Sequence, residues 1–254
     1  DSLLELAPGL NSSDTVVVLS AFTNPNWIFE NRHEAYDTNV TATCQVIDEA
    51  RSRDAGIVFL STEIVFPDNP DGHTEESTPD PSTEYARQKV EVEDYLLSSS
   101  GKAIVARTGW NVSSDPTANC PVLNTRSALL SGNAKMARDN WFTVTDVTDT
   151  CAALLALIKQ QSNGIFHIAA NPPLSRIELA EGIIASSAAG AEMSYEEIDF
   201  ADLSYPEPRP ATAWLQNGKL SQETGQKFSS PLGTIKRKVS IIEAHLSEPE
   251  GNSR

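Results

Sequence analysis

The chain has 254 residues, 35 acidic against 19 basic, for a formal net charge of −16. That surplus argues against nucleic acid or an anionic membrane as partner, because both attract basic patches. Hydrophobic residues make up 39%, enough for the core of one large α/β domain or two small ones, and no run approaches the roughly 20 apolar residues of a membrane helix.

Short apolar runs alternate with helical patterns along the chain. A strand is expected near 15–20, then a helix near 31–52 and a strand near 57–61 that runs into the turn Ser61-Thr62-Glu63. A Pro/Asp-rich loop from Phe66 to Pro81 leads into a helix near 83–99. A strand near 103–107 ends in Arg107-Thr108-Gly109-Trp110. A helix near 147–161 and a strand near 165–168 follow. The helix near 175–187 opens on Ser175-Arg176-Ile177-Glu178, a capping-box pattern. Such alternation means βαβ units, a doubly wound parallel sheet of Rossmann type and right-handed crossovers. The polar stretch 247–254 is expected to be a disordered tail.

Ligands of such sheets bind beyond the carboxyl ends of the strands. That rule selects Ser20-Ala21-Phe22-Thr23, Ser61-Thr62-Glu63 and Arg107-Thr108-Gly109-Trp110, side by side along one crevice. The following helix carries Tyr85 and Lys89, four residues apart and so on one face. A cation so placed lowers a tyrosine pKa from its usual value of about 10. The phenol can then exchange a proton with a carbonyl or hydroxyl, and a hydroxyl from the Thr62 turn can hold the same oxygen. Cys44, Cys120 and Cys151 give neither a disulfide framework nor a metal pattern, and His33, His73, His167 and His245 have no ligand spacing. No metal is expected, and buried free thiols are expected at Cys44 and Cys151. His167, in a strand, is read as structural.

The block FLSTEIVFPDNPDGHTEESTPDPSTEYARQKVEVEDYLL followed by AIVARTGW resembles the extended short-chain dehydrogenase/reductases, in particular the dTDP-4-dehydrorhamnose reductase branch. That branch reads S-T-D-Y-V-F-D-G, then Y-G-x-S-K-x-x-G-E, then R-T-S-W. The segments VTDVTDTCAALLALI, GIFHIAANPPLSRIELAEGI and RPATAWLQNGKL are similar to its later elements. The likeness runs from about residue 15 to 245 in the right order. Glu63 stands for the usual aspartate, Ile64 for tyrosine, Gln88 for serine and Gly109 for the serine of R-T-S-W.

The resemblance implies an NAD(P)H-dependent reductase of a 4-keto nucleotide sugar, with NADPH or NADH as cofactor, in a cytoplasmic setting, and it leaves a homodimer open. Tyr85 would protonate the carbonyl oxygen as hydride arrives, Lys89 would lower its pKa and bond the nicotinamide ribose, and Thr62 would hold the substrate oxygen. Glu63 would assist or bind a sugar hydroxyl. Ala21, Phe22, Ser61 and Arg107 join Tyr85 and Lys89 as expected cofactor contacts. Thr23, Glu63, Trp110 and Arg209 are expected substrate contacts, with Trp110 stacking on a ring and Arg209 pairing with a diphosphate. Asn39 would brace the site through the backbone. Strand-end packing for Ala21 and Phe22, core burial for Trp110 and a structural ion pair for Arg209 are the plain alternatives.

The organisation expected is a Rossmann-like core from 1–108 and 141–170 and a substrate region from 109–140 and 171–246. The family opens with a strand, a G-x-x-G-x-x-G turn and a helix, where the cofactor pyrophosphate meets a helix N-terminus. None of the 13 glycines here are spaced that way. The first strand resembles the family's fourth, so the stretch reads as lacking the front of that domain and is expected to bind dinucleotide poorly by itself. Two rival readings keep the fold but change the role. One is a non-catalytic binding subunit, like the regulatory beta subunit of methionine adenosyltransferase. The other is a nucleotide-sugar epimerase or dehydratase.

Overall fold

The computed structural model describes residues 2–98 and 101–247. After a short helix α1 (Leu3–Leu6), strand β1 (Thr15–Val18) starts a βαβ succession through β2 (Gly56–Thr62) and β3 (Ala103–Thr108). The expected strand at 15–20 ends at Val18. The helical segment between β1 and β2 starts earlier than expected. Asn24 caps it through its side chain and Pro25 takes the first helical position, where its missing N–H costs nothing. It then runs as α2 (Pro25–Glu30), α3 (Arg32–Tyr36), a π-helical turn (Asp37–Ala42) and α4 (Thr43–Arg51). Between β2 and β3 lies α5 (Glu84–Leu97), with Thr83 as its N-cap.

After β3 the chain leaves the sheet through β4 (Trp110–Val112), α6 (Pro121–Ser131), β5 (Ala134–Ala137), β6 (Trp141–Phe142) and β7 (Val144–Asp146). It returns through α7 (Val147–Lys159) to β8 (Gly164–Ile168). The excursion then resumes with β9 (Leu174–Ser175), α8 (Arg176–Ser186), β10 (Tyr195–Ile198), α9 (Gly218–Thr224) and α10 (Pro231–Ser247). The expected capping box at Ser175 forms, with reciprocal bonds to the Glu178 backbone and side chain. Residues 248–254, most of the stretch expected to be a disordered tail, lie outside the described residues.

The main sheet has the order β1-β2-β3-β8, all parallel. Its strands are apolar on both faces, as a doubly covered parallel sheet requires. Ile57, Phe59, Ala103 and Val105 pack under α4 and α5 with Ile47, Val92 and Leu96. Val58, Ile104, Ala106 and Phe166 pack on the other side against Ala153, Leu154 and Leu157 of α7 and Leu220 of α9. A separate apolar cluster joins α6, α8 and α10 through Val122, Leu129, Leu179, Ile183, Ile235 and Val239. The cleft lies between this cluster and the carboxyl ends of β1, β2 and β3. Cys120 is buried, but Cys151 is exposed and Cys44 only half-buried, a correction to the expected buried thiols. Position 151 falls on the solvent side of α7, whose buried stripe is Thr150, Ala153, Leu154 and Leu157.

Candidate active site

The three strand ends and the start of α5 converge on one cavity of about 420 Å³. Ala21 and Thr23 line it from the end of β1, Ser61, Thr62 and Glu63 from β2, and Gly109 and Trp110 from the end of β3. Tyr85 and Lys89 line it from α5, and Arg176, Tyr205 and Arg209 close the opposite side.

Tyr85 and Lys89 sit one turn apart on the sheet-facing side of α5, both buried. The Thr62 hydroxyl shares the cavity with the Tyr85 side chain and accepts from the Ile64 N–H at 3.4 Å, capping the 3₁₀ turn Glu63–Val65. Burial pushes the Tyr85 phenol up to about 12, against the smaller lowering effect of Thr62. The expected net lowering of this phenol is therefore corrected, because burial outweighs it. The Lys89 Nζ is 5.8 Å from the Tyr85 ring centroid and donates to the Leu60 carbonyl at 2.8 Å. Burial in turn pulls Lys89 down to about 8, with the Glu93 carboxylate acting to raise it. Tyr85 thus keeps its proton at neutral pH.

Glu63 is buried. Its Oε2 accepts from the Thr143 hydroxyl at 2.6 Å and from the Thr143 N–H at 3.3 Å. Burial pushes its carboxyl up to about 8 despite these bonds, so it is largely neutral at pH 7. Asn39, inside the π-helical turn, accepts from the Phe22 N–H at 2.8 Å and donates to the Phe22 carbonyl at 3.1 Å and to Gln88 Oε1 at 2.9 Å. It fixes the Ala21–Thr23 backbone relative to α5. The Phe22 ring does not line the main cleft; it packs on Trp27 at 4.3 Å between centroids and joins Ile28, Ala35 and Tyr85.

Arg107 also departs from expectation. It is almost fully buried, and both Glu93 oxygens accept from its Nε at 3.1 Å. Its guanidinium lies 4.8 Å from the Phe66 ring centroid. The alternation of β3 puts residue 107 on the same face as Ala103 and Val105, under α5, so a cofactor in the cleft cannot reach it. His167 is fully buried in β8, with Nδ1 3.2 Å from the His73 carbonyl oxygen. Burial drives its pKa down to about 3.

Arg176 is a cleft residue that sequence reasoning missed. Its guanidinium lies 4.8 Å from the Trp110 ring centroid, and Trp110 stacks on Phe142 at 4.4 Å. Its Nε donates to Asn140 Oδ1 at 2.6 Å. The available signal was its place at the first position of a capped helix that returns toward the cleft. Arg209 lies over Tyr205 at 4.1 Å and donates to Asn26 Oδ1. Neither arginine makes a salt bridge among the described residues, where no group of three or more His, Cys, Asp or Glu is placed to hold a metal ion.

The family described as RmlD substrate binding domain matches residues 8–239. The chain belongs to this family. Among its relatives in the RmlD substrate-binding family is a dTDP-4-dehydrorhamnose reductase of Mycobacterium tuberculosis, 25% identical over 215 residues that cover 82% of this chain and 70% of the relative. Among solved structures, a dTDP-4-dehydrorhamnose reductase from Clostridium acetobutylicum superposes with a TM-score of 0.83 at 22% identity, covering 91% of this chain and 81% of that one. The Bacillus anthracis dTDP-4-dehydrorhamnose reductase, in complex with NADP, has a TM-score of 0.79 at 21% identity, covering 88% and 79%. These likenesses bear out the α/β fold with its parallel sheet. No helix among the described residues of this RmlD-family chain is long and apolar enough to cross a membrane.

Proposed function

We propose that the chain serves an NAD(P)H-dependent reductase that reduces a 4-keto group on a nucleotide-linked sugar. The observation that carries this reading is the meeting of Thr62, Tyr85 and Lys89 in one cleft, in a family whose relatives include named dTDP-4-dehydrorhamnose reductases. The residues fit the nicotinamide end of the cofactor. Ala21 leaves room at the end of β1, and Lys89 offers an ammonium beside Tyr85. No glycine-rich turn for the pyrophosphate occurs in these residues, so the fit extends to that end alone. When bound, the cofactor supplies the hydride.

The chain's own residues do the rest. The substrate carbonyl oxygen lies between the Thr62 hydroxyl and the Tyr85 phenol. Tyr85 gives its proton to that oxygen as the carbonyl carbon gains hydride. The ammonium of Lys89 then stabilises the phenolate left behind, which the buried site would otherwise disfavour. Glu63, mostly neutral, presents a carboxyl to a sugar hydroxyl, and Thr23 lines the same cavity. Trp110 stacks on a ring, and Arg176 and Arg209 hold the diphosphate. Two guanidiniums without carboxylate partners among the described residues, in a chain of net charge −16, support an anionic ligand at that end. The region built on α6, α8 and α10 would form the substrate side, residues 109–140 and 171–246.

The test is NADPH oxidation by the full-length protein with dTDP-4-keto sugars. Tyr85→Phe should lose most of kcat while still binding cofactor. Undiminished turnover in that variant rejects the proton-donor role, and binding of the sugar nucleotide with no turnover in the unaltered protein points to a non-catalytic binding subunit.

A further inference from the structure

Tyr85, Lys89 and Glu93 follow each other at four-residue spacing and are all buried on the sheet-facing side of α5. Residues so spaced lie about 5–6 Å apart at their Cβ atoms. The last of the three has not entered the chemistry above. Its carboxylate is gripped by Arg107, through Nε to both oxygens at 3.1 Å and through Nη2 to Oε2. Lys89 has no carboxylate within salt-bridge distance among the described residues and donates to a neutral carbonyl, that of Leu60. Its ammonium lies 4.6 Å from the Phe59 ring centroid. Glu93 is thus bonded to one buried cation, Arg107, and stands one helical turn from another, Lys89.

The Lys89 ammonium meets the Leu60 carbonyl and the Phe59 and Tyr85 rings, and the elements around it carry the following charged or titratable groups. Helix α5 gives Tyr85 and Glu93. Strand β2 gives only the Leu60 carbonyl and the Phe59 ring, and the 3₁₀ turn after it gives Glu63, engaged by Thr143. Strand β3 gives Arg107. The π-helical turn gives uncharged Asn39, while its acid Asp37 is exposed. Helix α4 gives half-buried Cys44, with Asp48 exposed, and α2 gives no buried acid or base. The other buried carboxylates among the described residues are engaged elsewhere, Glu63 by Thr143, Asp146 by Arg237 and Glu207 by Arg87 and the Glu84 N–H, which leaves Glu93 one turn from Lys89.

We propose that Glu93 is a positioning residue of the cleft, whose carboxylate, shared with Arg107, keeps the Lys89 ammonium charged beside Tyr85. The inference deepens the reductase reading and rests on it for its catalytic meaning, but the charge state of Lys89 can be read without turnover. Burial alone disfavours the charged form of Lys89, and the Glu93 carboxylate acts against it. Arg107 orients the carboxylate and at the same time dilutes its effect, so the pair sets how much positive charge the cleft retains.

The experiment is a pH titration of the Lys89 ¹³Cε NMR signal in the full-length protein, assigned by its loss in Lys89→Arg. Glu93→Gln should raise the acid dissociation constant of Lys89 by roughly tenfold or more. That change also leaves Arg107 buried without its partner, and the variant can fail to fold. The double variant Glu93→Gln/Arg107→Met removes both charges and decides the matter. Its Lys89 should titrate below the unaltered protein and, where the single variant folds, above it. A double variant that titrates like the unaltered protein overturns the proposal, because Glu93 would then serve only to neutralise Arg107. A shifted titration in a protein that reduces no keto sugar rejects the reductase reading and leaves the charge assignment standing.

Discussion

A Cβ placed on Gly109 would lie 2.6 Å from Glu63 Oε2 and 1.8 Å from Thr143 Oγ1. The backbone at 109 is not left-handed, so the glycine is there for close approach and not for its φ. Its missing side chain makes the space in which the buried carboxyl meets the Thr143 hydroxyl. Glu63 carries one methylene more than the aspartate usual in this branch, and Gly109 one hydroxymethyl less than the usual serine, so the two departures fit each other. Gly109→Ala should cost about 1–3 kcal/mol, the range for overpacking. In Gly109→Ala/Thr143→Ala the nearest clash is removed, and the double variant should be more stable than the sum of the two single changes by at least about 0.5 kcal/mol. The 2.8 Å approach to the Thr143 carbonyl keeps the recovery partial. Urea unfolding midpoints measure both.

The same carboxyl makes stability depend on pH. Burial raises Glu63 from its ordinary 4.5 to about 8. A group with a raised folded-state pKa contributes most when protonated, below the unfolded value, and that contribution is lost as pH rises through the folded one. Between about pH 5 and 8 the chain should therefore lose on the order of 1 kcal/mol per pH unit from this group alone. Glu63→Gln keeps a neutral side chain of the same length, so its stability advantage should grow across that window and level off above it. An equal pH slope in both proteins would mean that Glu63 ionises freely in the fold.

Asn39 ties three elements together with three hydrogen bonds, two to Phe22 and one to Gln88. Replacing it with aspartate keeps the acceptor for the Phe22 N–H but sets a carboxylate oxygen against the Phe22 carbonyl and the Gln88 oxygen. The expected cost is about 1–3 kcal/mol for unsatisfied buried groups, with KM for the cofactor rising more than that for the sugar, because the Ala21–Thr23 backbone shifts. Initial rates at varied NADPH, with thermal unfolding alongside, separate the two effects.

Much of this was legible in the residues. The runs 57–60 and 103–106 are apolar throughout, which suits a strand covered on both faces, and they became the bodies of β2 and β3, with the hydroxyl and tryptophan beyond them. Tyr85 and Lys89 shared a face as four-residue spacing requires. Their electrostatics were not legible, because the direction of a pKa shift depends on whether burial or the neighbouring charge wins. At Tyr85 burial wins, since the ammonium points at Leu60. Arg107 was misread for a related reason. Being near the strand end suggested the cleft, yet alternation decides the face, and Glu93 lies in another element 14 residues earlier. Arg176 gave no signal beyond its place at the head of a capped helix, because the cleft wall it belongs to is assembled from segments far apart in sequence, Trp110, Asn140 and Phe142.

Arg176 supplies the last prediction. Its guanidinium is partly buried against Trp110 and Phe142 and oriented by Asn140, and Arg209 lies close enough to lower its pKa further, beyond the larger effect of burial. Two like charges are held near each other in a cleft of an acidic protein, an arrangement that an anionic ligand would relieve. Arg176→Met keeps an apolar stem and removes the guanidinium, with its charge, its contact with the Trp110 and Phe142 rings and its donor to Asn140. It should leave stability within about 1 kcal/mol, since the repulsion with Arg209 disappears as the hydrogen bond is lost. Binding of a nucleoside diphosphate sugar should weaken by at least about tenfold, as expected for loss of a charge-assisted contact, while binding of the sugar without its diphosphate should hardly change. Isothermal titration of both ligands, at low and at high salt, makes the comparison. Equal weakening for the two ligands would place the guanidinium's role in the shape of the Trp110 wall and not in its charge.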